Sequence, residues 1–106
     1  MATTANVAVL SAAVVADIDG SAQGVTLVEG DRVLLAAQTS GAANGIYTVG
    51  VVTTGTAPLT RATDADASSE VTNGMACNVS EGSKANYLAR LTTADPITLG
   101  TTALVF

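Results

Sequence analysis

Apolar positions along this chain come in short runs, separated by clusters of Gly, Asn, Asp and Ser. The runs are rich in Val and Thr, while Glu, Lys and Gln are scarce. That is the pattern of strands closed by turns rather than of helices. It predicts strands at residues 6–10, 25–28, 32–37, 45–52, 59–62, 75–80, 87–92 and 102–106. The clearest of them lie in "GDRVLLAAQTSGAANGIYTVG", two apolar strings around a loop that ends in Asn44-Gly45. Asn44-Gly45 and Asn73-Gly74 supply positive-φ turns, and Glu29-Gly30-Asp31 supplies a tight connection. Pro58 and Pro96 stand at segment edges, where a missing N–H does least harm. Within residues 75–80 the period of two sets Met75, Cys77 and Val79 on one face and Ala76, Asn78 and Ser80 on the other. The expected fold is all-β: a small antiparallel β-sandwich or barrel-like domain with an extended N-terminal arm.

The pattern divides the chain into an arm, residues 1–24, and a β domain, residues 25–106. The arm is small and Ala-rich with weak periodicity. A helix over residues 11–16 capped by Ser11 would be short and marginal, so an extended arm containing one strand is preferred. Val7, Val9, Leu10, Val14 and Val15 are too apolar to leave in water without cost, about 1.5–3 kcal/mol per buried Val or Leu side chain. Two outcomes meet that need. Val7 and Val9 can form a first strand of the domain's own sheet, or the arm can add a strand to a neighbouring chain.

Composition changes the picture in one respect. Of 106 residues, 48% are hydrophobic and only 12% charged. A single domain of this size buries roughly 60–65% of its unfolded surface, and so few charges leave a bland exterior that neighbours are expected to cover. Net charge is −5, and the four cations Arg32, Arg61, Lys84 and Arg90 are scattered. Nucleic acid and anionic membrane surfaces are therefore not expected partners. No basic n-region marks a signal peptide, and no apolar run is long enough to span a bilayer.

The candidate chemistry is thin. His is absent, and with it the commonest general base and metal ligand. The lone Cys77 alternates with Met75 and Val79 and reads as a small core residue. "DADASSE", residues 64–70, is the one carboxylate cluster, but it lacks the glycine and distal Glu of a calcium loop and reads as a solvated turn. The "NVS" at Asn78 matches a glycosylation sequon by chance. No enzyme, metal or cofactor is expected. Arg32, Arg61 and Arg90 stand in predicted strands beside apolar neighbours, where a charge must find a partner. Each is expected to form an ion pair within the chain, with Asp31, Asp64 and Asp66 nearest, or a salt bridge to another subunit.

Four stretches then stand in order: "ATTANVAVLS", "DG…VTLVEGDRVLLAAQTSGAANGIYTV", "LTRATDADASSEVTNGMACNVSEG" and "LTTADPITLGTTALVF". Together they resemble a module of tailed-bacteriophage structural proteins, found in head decoration proteins and in tail fibres and appendages. The resemblance covers nearly the whole chain. It implies a multi-copy virion part with no catalytic residues. Four places depart from the module's usual run. Leu59 and Leu88-Ala89-Arg90 stand where aromatics are common, Ala94 replaces an Asp, and the link over residues 12–19 is longer. Fewer rings weigh against a glycan-binding fibre tip. The function implied is a capsid decoration, or cement, protein on the virion surface. It would bind the major capsid protein as a homo-oligomer, a trimer by preference, and be made in the host bacterial cytoplasm. The alternative is a tail-fibre or head-fibre appendage that binds a receptor or glycan.

Overall fold

The computed structural model describes residues 1–19 and 26–106, the side chain of Asp19 excepted. Its strands are β1 (Ala13–Val14), β2 (Arg32–Leu35), β3 (Gly45–Val49), β4 (Thr56–Ala57), β5 (Leu59–Arg61), β6 (Ala76–Asn78) and β7 (Leu88–Arg90). One α-helix among the described residues, α1 (Val15–Asp19), spans five residues, and single 3-10 turns lie at Leu10–Ala12, Gly41–Ala43 and Ser68–Glu70. The strands pair antiparallel in three sheets, β2-β3-β5, β1-β4 and β6-β7. This is a small all-β domain.

The two longest strands, β2 and β3, form its centre because both faces of their sheet are covered. Val33, Leu35, Tyr47, Val49 and Leu59 pack on one side with Val7, Ala13, Ile18 and Leu27. Leu34 and Ile46 point the other way, into a second cluster with Val71, Val79, Leu91 and Leu104. A strand buried on both faces shows a continuous apolar run instead of alternation, as "RVLL" and "GIYTV" do. The β6 strand has one buried face and alternates as expected. Met75, Cys77 and Val79 turn toward the second cluster, while Ala76, Asn78 and Ser80 are exposed.

Turn chemistry sets where strands stop. Gly30 holds φ +92 in the turn from Val28 to Asp31, closed by the Asp31 N–H to the Val28 carbonyl at 3.1 Å. Gly50 N–H still reaches the Pro58 carbonyl at 2.8 Å, but Pro58 has no N–H to return. The β3–β5 ladder therefore ends at Val49, short of residue 52. Thr54 and Gly55, with φ 52 and 77, close a two-residue hairpin between Thr53 and Thr56. Its second strand, β4, takes β1 as partner.

The N-terminal residues belong to this body. The radius of gyration, 12.9 Å, is that of a compact domain of this length, about 13 Å. Ala2, Thr3, Val7, Ala13 and Ile18 are buried. The main-chain course differs from expectation in four respects. Residues 6–10 form no strand: the bonds of Asn6 and Val7 to residues 38–39 run through side chains, Gln38's to the Val7 backbone and Asn6's to the Thr39 N–H, rather than through a backbone ladder. The short helix starts at Val15, four residues later than the Ser11-capped helix weighed as an alternative. Residues 26–28 are irregular, and Val25 and the proposed boundary at residues 24–25 lie outside the described residues. Residues 102–106 form no strand either, although the Thr92 N–H reaches the Val105 carbonyl at 2.8 Å.

Candidate interaction site

The polar residues of the four motif stretches are tied to one another. Gln38 binds Val7 from both sides, its Oε1 accepting the Val7 N–H at 2.7 Å and its Nε2 donating to the Val7 carbonyl at 3.0 Å. The Gln38 N–H donates to Asn44 Oδ1 at 2.9 Å, and Asn44 Nδ2 donates to the Leu104 carbonyl at 2.8 Å. Thus Asn44, which is buried, joins the start, middle and end of the chain. Gly45, at φ +142, leaves the space that Arg61 fills, since a Cβ there would collide with its guanidinium. In the 64–70 turn the Glu70 carboxylate accepts the Asp66 and Ala67 N–H groups, both at 3.1 Å. These residues hold the fold and leave no free reactive group.

Of the residues expected at an interface, Val7 is 2% exposed and lies in the domain's own core, whereas Val9 is 55% exposed. Leu10 and Val15 are half-buried against the first cluster, and Val14 is exposed on β1. Arg32 makes a bidentate pair with Asp64 at 2.9 and 3.0 Å on the surface, and that hydrogen bonding lowers the Asp64 carboxyl below its ordinary value. Arg61 finds carbonyls rather than a carboxylate. It donates to Asn44 O at 3.1 Å and Ala42 O at 2.9 Å, with its guanidinium carbon 5.0 Å from the Tyr47 ring centroid. Burial raises the Tyr47 phenol, the nearby Arg61 charge acting against it, and the Tyr47 hydroxyl donates to the Ala43 carbonyl at 2.9 Å. Arg90 is exposed and has no ion pair among the described residues.

The structure adds a surface that the sequence pattern did not single out. A groove of about 220 Å³ runs beside β7, lined by Ala36, Val79, Tyr87, Leu88 and Phe106, with Lys84 and Arg90 on its walls. Tyr87 is 60% exposed and Leu88 66%, the most exposed large apolar side chain among the described residues. Lys84 Nζ stands 5.1 Å from the centroid of the Tyr87 ring. The only sequence signal was the pair Tyr87-Leu88 itself. Adjacent residues of a strand face opposite sides of its sheet, so both are buried only where both sides are covered.

Cys77 is half-buried beside a cavity of about 200 Å³ that Arg32, Val33 and Ile46 also line. Burial pushes its thiol up, away from the reactive thiolate. No group of three potential metal ligands converges among the described residues, and no helix there is long and apolar enough to cross a membrane. No protein-family model, no curated protein and no solved structure matches this chain.

Proposed function

We propose that this chain is a capsid decoration protein of a tailed bacteriophage, one that sits in many copies on the assembled head and bridges neighbouring major capsid proteins. The supporting observation is the ordered run of phage-module motifs along nearly the whole chain. Their polar members Gln38, Asn44, Arg61 and Asp64 serve the fold itself. What the scaffold offers to others is its exterior: exposed Val9, Val14, Val51, Val52, Tyr87, Leu88 and Val105 on a lightly charged surface. Such patches suit weak contacts multiplied by symmetry. A homo-oligomer, a trimer by preference, lets one patch be used several times.

The fibre or appendage reading rests on sugar faces stacking on exposed rings. Tyr87 is the one strongly exposed ring among the described residues, and Lys84 stands 5.1 Å over it, which favours the decoration reading. The test is to mix the purified chain with expanded heads of the phage that encodes it, pellet them, and image them by electron cryomicroscopy. The expected result is saturable binding at regular positions of the head lattice. Density confined to a tail, or no binding to heads, would overturn the proposal.

A further inference from the structure

The β6–β7 pair leaves one edge open. The Leu91 N–H to Met75 carbonyl bond and the Val79 N–H to Tyr87 carbonyl bond, each 2.8 Å, fix the alternation of the ladder. Antiparallel pairs alternate between bonded and non-bonded, so Leu88 and Arg90, opposite Asn78 and Ala76, belong to the non-bonded set. Their N–H and C=O groups face away from β6. Those groups have no backbone partner among the described residues. The C-terminal segment covers this same edge at Thr92, through the Val105 carbonyl, and leaves residues 88–90 uncovered.

Three features meet there: an unpaired strand edge, the apolar groove of Tyr87, Leu88 and Phe106, and the two cations Lys84 and Arg90. Of nine carboxylates and four cationic side chains in the chain, two of the cations line this one groove. Neither has a carboxylate partner among the described residues. Strand addition gives backbone hydrogen bonds along the edge, and pockets beside it select alternate side chains. A second copy added through its own β7 would bring two sets of Lys84 and Arg90 to one seam, and like charges placed opposite each other are unfavourable. From this geometry we infer that the groove receives an extended segment of a partner protein, with apolar residues at alternate positions and Asp or Glu beside them, as a third strand on β7. The groove takes such a segment whether or not the chain is a virion part, so failure here and failure to bind heads are separate results.

The probe is a library of random peptides displayed on messenger RNA, selected against the full chain, with the consensus peptide then synthesised and titrated. The expected consensus alternates apolar residues with Asp or Glu. Its binding slows hydrogen exchange at the Leu88 and Arg90 amides and weakens with added salt. Leu88→Pro, which deletes one edge N–H, and the pair Lys84→Glu with Arg90→Glu are each expected to weaken binding about tenfold or more. The charge pair lies on the surface and tests the inference even if the proline variant does not fold. Four results would each overturn it: no enriched peptide, a consensus without carboxylates, binding that leaves the Leu88 and Arg90 amides unprotected, or self-association of the chain lost in the same variants.

Discussion

Two strand edges in this domain meet the same problem and resolve it differently. The outer edge of β2 is covered by the chain's own first residues. Leu34 N–H reaches the Met1 carbonyl at 2.8 Å, Thr3 N–H reaches the Leu34 carbonyl at 2.9 Å, and Ala2 bridges Leu34 in parallel. Beyond Leu35, side chains continue the seam: Thr3 Oγ1 accepts the Ala36 N–H, Asn6 Oδ1 the Thr39 N–H, and Gln38 clasps Val7. The edge at Leu88 and Arg90 has no such cover, and the side chains of Leu88 and its neighbour Tyr87 are exposed. An open edge is a template for another chain. The covered edge therefore reports on stability, and the open one on association.

The largest effect is expected from uncovering β2. Deleting residues 1–7 removes the backbone and side-chain bonds of the seam together with buried Ala2, Thr3 and Val7. The loss should exceed about 3 kcal/mol, from Val7 burial and the unpaired groups left behind. Urea unfolding followed by circular dichroism measures it, and an unchanged midpoint would mean that the segment is dispensable. Next in size is Gln38→Ala, which leaves the Val7 N–H and carbonyl without their partner. A cost of about 1–3 kcal/mol is expected, read in the same way. Leu88→Ser on the open edge should shift stability by no more than ~0.5 kcal/mol, since the side chain is already in water. A large loss there would show that the groove is core and not surface.

The smallest effect concerns Arg32 and Asp64. The Asp64 carboxyl is held below its ordinary value by the Arg32 hydrogen bonds. A lowered folded value adds stability that is present above the unfolded value and is lost as pH falls through the folded one. Asp64→Asn should remove that acid-side part of the pH dependence and leave neutral stability almost unchanged, because the pair is exposed. Melting curves from neutral to acid pH for both proteins check it. A large neutral-pH difference would count against this account.

How far the sequence carried follows from which partner each residue took. "RVLL", "GIYTV" and the Met75-Cys77-Val79 alternation were legible because their partners are backbone ladders and a core, which impose a period. Residues 6–10 were not, because Gln38 and Asn6 stand in for a backbone ladder there, and side-chain mimicry leaves no periodic trace. Arg61 was expected to meet a carboxylate and took carbonyls, which carry no charge to find in a sequence. The Thr54-Gly55 hairpin was hidden by a Thr in a conformation that β-branched residues rarely adopt. The β7 groove needed the fold, since Ala36, Val79 and Phe106 come from separate stretches of the chain.

The path from Val7 through Gln38 and Asn44 to the Leu104 carbonyl has a mechanical meaning. Two side chains link the first and last stretches of the chain across a gap that the covalent backbone spans only by a long detour. Tension between those stretches is therefore shared by Gln38 and Asn44 with the Met1–Leu34 and Thr3–Leu34 bonds at one end and the Thr92–Val105 bond at the other. The domain carries its own short tether, and the 38–44 loop joins the two ends by a path that does not run through the strands.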